Sequence, residues 1–281
     1  MQQATSEHLL SIGSGPPLVL LGGLHGHCEF QRPIIEGLRH DFCVICPSLP
    51  GDCPTALADV SSLQSVAAEL LHRLAAAGVD KFSLCGISMG GVIGLQMALL
   101  APERFSRLAV IQSFAEYNFL HPRLKQLYDF FNSHRLEKTC IFVSRFTLLG
   151  LTIRDLFVDQ PSRRQLREFW QRFKRYSSTS PMISSRLKMM RRASLLQRLP
   201  ELKMPLLLVA AERDLLVQPS HILEIARRVS QAEVITIQGS SHLFPFFHPE
   251  KLARVIVPFF KPAGADYLQP EDLAADLRGL S

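Results

Sequence analysis

Three side chains in this sequence have the types needed to attack and release an acyl group: a hydroxyl, an imidazole and a carboxylate. Ser88 lies in Gly86-Ile87-Ser88-Met89-Gly90, Asp214 ends Ala211-Glu212-Arg213-Asp214, and His242 ends Gly239-Ser240-Ser241-His242. A serine hydroxyl is a weak nucleophile until a base takes its proton, and imidazole does that near neutral pH while a carboxylate fixes its tautomer. The order Ser, Asp, His, with each residue directly after a strand-like apolar run, matches that chemistry.

Each of these residues needs an element to place it. Lys81-Phe82-Ser83-Leu84-Cys85 reads as a buried strand, and Val92 to Leu100 reads as an apolar helix, so Ser88 falls on the turn between them. Such a turn is tight, and a residue without a Cβ two positions before and two after the serine removes the clashes that would block it. Gly86 and Gly90 meet that need. The Met89 N–H then lies at a helix N-terminus, where partial positive charge meets a developing oxyanion. Taken alone the pentapeptide also allows a plain glycine turn; its strand and helix flanks favour the catalytic reading, and the combination with Asp214 and His242 strengthens it.

A second glycine-rich stretch, Gly22-Gly23-Leu24-His25-Gly26-His27, follows the short apolar run Leu18-Val19-Leu20-Leu21. Backbone N–H groups in such a loop approach a ligand closely, which is where a second oxyanion donor belongs. The spacing of His25 and His27 is weak evidence for a metal, and none is expected.

Along the chain, strand-like runs at Glu7–Ile12, Leu18–Leu21, Phe42–Pro47, the run before Ser88 and Leu108–Ile111 alternate with helical spacing at Ile34–Leu38 and Val66–Leu74. The strand pattern returns at Pro205–Ala210 and Val234–Ile237, with a helix from His221 to Val229 between them. This alternation predicts an α/β fold with a mostly parallel central sheet covered by helices on both faces. Catalytic groups in such sheets gather beyond the carboxyl ends of the strands, where Ser88, Asp214 and His242 all fall. Residues 115–203 break the rhythm: stretches such as Arg164 to Phe173 carry apolar and basic residues at helical spacing, which predicts a helical insertion after the sixth strand. The division expected is a core of 1–114 and 204–262, a cap of 115–203, and a tail of 263–281.

Composition narrows the class. At 281 residues and 47% hydrophobic, the chain is long enough for a large core in one domain with an insertion. The polar N-terminus shows no signal peptide, and no stretch approaches the roughly 20 apolar residues that span a bilayer, so a soluble cytoplasmic protein is expected. The six cysteines lack the spacing of a disulfide framework. Cys43 and Cys46 are three apart in a strand-like run and so point to opposite faces, which argues against a metal or redox pair. Residues 115–203 hold 18 Lys and Arg against 7 Asp and Glu. No nucleic-acid motif accompanies them, and the basic residues alternate with apolar ones as on a solvated helical surface, although an anionic acyl substrate such as a carboxylate or a thioester carrier is also compatible.

From about Glu7 to Pro262 the sequence resembles the α/β-hydrolase superfamily, in its loop after the third strand, its Gly-Ile-Ser-Met-Gly-Gly elbow, its insertion, its acid and histidine loops, and His248-Pro249-Glu250 at the start of the last helix. The resemblance implies Ser88 as nucleophile, His242 as base, Asp214 as acid and Met89 as one oxyanion donor. Leu24 is the second donor when the loop is aligned by distance from the strand, and His27 when it is aligned by the His-Gly dipeptide; Leu24 is preferred. Many members carry His-Gly directly after the third strand, where this chain has Gly22-Gly23. Cys53 replaces the glycine that usually follows the Pro50-Gly51 turn, and the short N-terminus is expected to omit the family's first edge strand. Glu116 and Glu212 are alternative acids, and His248 an alternative base that reads better as a surface residue.

The function expected is a serine hydrolase that cleaves an ester or thioester of a small to medium apolar acyl substrate, with no cofactor and no nucleic-acid partner. Phe130, Phe131, Phe142, Phe146, Leu148, Leu149, Leu151, Phe157, Phe169 and Trp170 are candidate apolar walls. A carbon–carbon bond hydrolase or lyase using the same triad, and a non-catalytic binding protein of the same fold, are the competing readings.

Overall fold

In the computed structural model, which describes residues 4–6, 9–52, 62–116, 150 and 153–261, eight strands form one sheet. They are β1 (Ala4–Ser6), β2 (Leu9–Ile12), β3 (Pro17–Leu21), β4 (Cys43–Pro47), β5 (Phe82–Ile87), β6 (Phe105–Ile111), β7 (Leu206–Ala211) and β8 (Ala232–Ile237). Their spatial order is β1-β2-β4-β3-β5-β6-β7-β8. β2 pairs antiparallel with both β1 and β4, and every pairing from β4 through to β8 is parallel.

The N-terminus departs from expectation. Ala4 pairs with Ser11 and Ser6 with Leu9, so the edge strand that was expected to be missing is present. Its sequence escapes periodicity because a short edge strand pairs on one side only and needs no apolar alternation.

Alternate residues of the central strands enter two separate cores, one on each face. Val19, Leu21, Leu84, Leu108, Val110, Leu206 and Leu208 belong to one, and Leu18, Leu20, Cys85, Ala109, Ile111, Leu207 and Val209 to the other. The first face is covered by α2 (Leu63–Ala76), α3 (Met89–Leu100) and, farther along the chain, Ile222 and Ile225 of the helix Pro219–Ala226. The second is covered by α1 (Arg32–Leu38) and the last helix, Pro249–Phe260. Both faces being buried explains why the strands read as continuous apolar runs instead of alternating ones. Cys43 packs on one face and Cys46 on the other, and Cys43, Cys46 and Cys85 are free thiols. Burial pushes the Cys85 thiol up to about 12 and raises that of Cys46 as well, so both stay protonated at neutral pH. Cys53 and Cys140 lie outside the described residues.

Between β6 and β7 the described chain is helical, in α4 (153–159), α5 (Arg163–Tyr176) and α6 (Ser180–Arg191). Ser162 caps α5, accepting the Gln165 N–H at 3.3 Å while Gln165 reaches back to the Ser162 N–H at 2.8 Å. Arg163, Arg164, Arg167, Lys174 and Arg175 of α5 are exposed, as a solvated basic face requires. Phe169 is buried with Phe30 and Phe247, and Trp170 packs at the edge of that cluster. Phe157 is 76% exposed and so forms no wall. The expected wall residues Phe130, Phe131, Phe142, Phe146, Leu148, Leu149 and Leu151 lie outside the described residues, as does the tail 263–281. The remaining helices are α7 (Pro219–Ala226), α8 (Phe244–Phe247) and α9 (Pro249–Phe260). Among the described residues no helix is long and apolar enough to cross a membrane.

Candidate active site

Ser88 links β5 to α3 with φ +55° and ψ −118°, a conformation that costs a side-chain-bearing residue of order 1–3 kcal/mol. Close packing holds it there. A Cβ on Gly86 would collide with the Gly90 carbonyl, and one on Gly90 would collide with the Leu21 carbonyl, so the elbow needs both glycines. The Ser88 N–H donates to Ile111 O at 2.8 Å, and Ser113 Oγ donates to Ser88 O at 2.6 Å. The backbone bonds leave the hydroxyl itself for another partner.

His242 and Asp214 meet it there. His242 Nε2 lies 3.1 Å from Ser88 Oγ, and His242 Nδ1 lies 2.7 Å from Asp214 Oδ2. An ionised carboxylate only accepts, so Nδ1 carries the proton and Nε2 is left as the acceptor for the Ser88 hydroxyl. Asp214, 1% exposed, is held from the other side by its own loop: Oδ1 accepts the N–H groups of Leu216 at 2.9 Å and Val217 at 2.8 Å. Burial works to lower the His242 pKa, but the charge and hydrogen bond of Asp214, with the charges of Asp155 and Asp159, outweigh it, and the pKa is raised.

Glu116 instead bonds Ser194, with Ser194 Oγ donating to it at 3.1 Å, and Glu212 accepts the Gly239 N–H at 2.8 Å. Neither approaches the imidazole by these bonds. His248 caps α9 and bonds the Asp159 carbonyl through Nε2 at 2.7 Å.

The loop after β3 runs beside the serine. A Cβ built on Gly23 would stand 3.4 Å from Ser88 Cβ and 3.8 Å from Oγ, so Gly23 adjoins the nucleophile and Leu24 follows it directly. His27, by contrast, caps the short turn Cys28–Gln31, its Nδ1 accepting the Glu29 N–H at 3.2 Å. His25 is half-buried, packs against Phe30 and Phe173 and accepts the Ser178 N–H through Nδ1 at 3.2 Å. Burial lowers its pKa to about 4, so it is neutral. No group of metal-ligating side chains occurs among the described residues.

Two groups that sequence reading missed brace the acid and histidine loops. Gln112, at φ +47°, donates from Nε2 to Asp214 Oδ2 at 3.0 Å and to Ser241 O at 2.8 Å. With two acceptors on that side, the amide nitrogen must face them. Asp159 of α4 accepts the Ser241 N–H at 3.0 Å and the Ser241 hydroxyl at 2.5 Å. On the same helix Arg154 donates to Arg213 O at 2.9 Å, so α4 is pinned next to both Asp214 and His242. Asp155, 4% exposed, lies between those two anchors and faces Arg154 Nη1 at 3.4 Å. Its pKa is raised to about 7, first by burial and further by Asp214 and Asp159, against the pull of His242 and Arg154.

A family model described as alpha/beta hydrolase fold matches residues 16–249. Among curated proteins, the chain is 27% identical over 259 residues to a pimeloyl-[acyl-carrier protein] methyl ester esterase of Vibrio parahaemolyticus, covering 90% of this chain and 97% of that one. It is 23% identical over 258 residues to a protein of Rhizobium rhizogenes provisionally named carbamate hydrolase RutD, covering 90% and 96%. Among solved structures, a hydrolase of Pseudomonas aeruginosa superposes with a TM-score of 0.73 at 20% identity, covering 90% and 94%.

Proposed function

The chain belongs to the alpha/beta hydrolase fold family, and from that premise we propose that this hydrolase cleaves esters or thioesters of small to medium apolar acids through an acyl-enzyme on Ser88. The observation that carries the reading is the continuous line from Ser88 Oγ through His242 to Asp214, at 3.1 Å and 2.7 Å. His242 accepts the serine proton as Oγ attacks the acyl carbonyl, and Asp214 stabilises the imidazolium that forms. The Met89 and Leu24 N–H groups hold the oxyanion, the first at the start of α3 and the second next to Gly23. His242 returns the proton to the leaving group, and water attacks the acyl-enzyme by the same route in reverse.

Apolar acyl groups are favoured by what surrounds His242. Leu243 follows it directly and joins Phe173, Trp170 and Phe246 at the half-buried edge of the aromatic cluster. In this reading the helices between β6 and β7 act as a cap over the site. Labelling with a fluorophosphonate tests the proposal: a single adduct on the Ser88 peptide, absent in Ser88→Ala, is expected. An unlabelled chain would favour a binding protein instead. A panel of esters, thioesters and vinylogous diketones then separates acyl hydrolysis from carbon–carbon cleavage.

A further inference from the structure

Most basic residues of the α4–α6 region face solvent, but Arg186 of α6 is 2% exposed. Its Nη1 donates to Leu24 O at 2.8 Å and to Ser178 Oγ at 2.7 Å. Its Nη2 donates to Pro50 O at 3.0 Å and pairs with the equally buried Asp52 at 2.8 Å. Both terminal nitrogens are thereby occupied by the chain itself, and Asp52 balances the charge. The guanidinium has nothing left on those nitrogens to offer a substrate, so its role lies in what it holds.

It holds the residue next to the serine. Gly22 and Gly23 lead into Leu24, and glycines leave a backbone with wide freedom, so the direction of the Leu24 N–H depends on anchors further along. Side chains bond the carbonyls of Leu24 and His25, and the Leu49 N–H bonds the next carbonyl, Gly26 O, at 2.9 Å. Arg186 and Ser178 donate to the Leu24 carbonyl, the latter at 3.4 Å, and Gln31 Nε2 donates to the His25 carbonyl at 3.1 Å. Of these, only Arg186 brings a charged donor, and charge-assisted bonds are roughly twice as strong as neutral ones.

We propose that Arg186 is a positioning residue of the oxyanion site: by gripping the Leu24 carbonyl from α6 it aims the Leu24 N–H at the oxygen that becomes negative during attack by Ser88. This rests on the hydrolase reading above, with Leu24 as an oxyanion donor. It also makes the acylation rate depend on how α6 sits on the sheet, because the same guanidinium ties α6 to Pro50 and Asp52 beyond β4.

The test uses the full chain, with p-nitrophenyl butyrate as probe, and two variants. Arg186→Met leaves Asp52 buried without its cation and risks misfolding, so Asp52→Asn/Arg186→Met, which removes both charges, is made beside it. In both, kcat is expected to fall at least about tenfold, with KM within about twofold and the pH inflection unmoved, because the donor acts on the transition state and not on His242. Amide hydrogen exchange across residues 22–26 is expected to quicken. A folded double variant with the kcat and exchange of the unmodified chain would overturn the role of Arg186. Fluorophosphonate labelling of the unmodified chain is read separately: its absence sinks the hydrolase reading, whereas Ser88 labelling as fast in the double variant as in the unmodified chain sinks only the Arg186 proposal.

Discussion

Replacing Gln112 with Met tests how Asp214, the proposed acid, is held. Gln112 is fully buried, and its amide bonds Asp214 Oδ2 at 3.0 Å and Ser241 O at 2.8 Å. Methionine fills nearly the same volume and donates nothing, so the change removes hydrogen bonds without opening much of a cavity. The bond to ionised Asp214 is worth about 1.5–3 kcal/mol and the bond to a neutral carbonyl about 1 kcal/mol. Strain from the φ of +47° is present in both forms and cancels. The variant should therefore lose about 2.5–4 kcal/mol, which at about 2–4 °C per kcal/mol lowers the melting midpoint by roughly 5–15 °C. Catalysis should suffer less than stability, because Asp214 keeps the Leu216 and Val217 amides on Oδ1 and His242 on Oδ2. A fall in kcat of about tenfold is expected, against about 10⁴-fold when a triad carboxylate becomes an amide. Calorimetry and ester hydrolysis on the same preparation give both numbers. A melting midpoint within about 2 °C of the unmodified chain, or a kcat as low as that of Asp214→Asn, would refute the reasoning.

Three further outcomes follow from the same site. The raised His242 pKa places the acid limb of kcat/KM above the ordinary histidine value of about 6.5; a limb at or below that value would count against the hold of Asp214 on the imidazole. Because the folded chain keeps the Asp155 proton up to about pH 7 while an unfolded aspartate has released it by about pH 4, stability falls as pH rises through that window, so Asp155→Asn should melt higher than the unmodified chain at pH 8 and alike at pH 4. Gly90→Ala should give no soluble folded protein, since its methyl would meet the Leu21 carbonyl across the elbow; a well-folded variant with normal activity would show that β3 and α3 are not so close.

Ser88, Asp214 and His242 were legible as one group because each follows a strand, Ser88 and Asp214 a buried one and His242 the largely exposed β8, where apolar run and turn residues mark the place locally. The parallel sheet was legible for the same reason. Gln112, Asp159 and Arg186 were not. Their partners are a carboxylate 102 residues away, a serine 82 residues away and a backbone carbonyl 162 residues away, and a polar side chain bonding distant groups leaves no periodic trace. Arg186 was further hidden among basic residues whose common place is solvent. β1 escaped because a short edge strand needs no hydrophobic pattern, and Phe157 misled because an aromatic at helical spacing says nothing of which way its helix faces.

Whether Ser88 takes the acyl group is read most directly by mixing the chain with excess p-nitrophenyl butyrate, following the first turnover, and mapping the quenched protein by mass. A burst of one nitrophenolate per chain, with butyryl on the Ser88 peptide and neither seen in Ser88→Ala, is the predicted result. Hydrolysis that persists in Ser88→Ala, or a butyryl group on another residue, would contradict it.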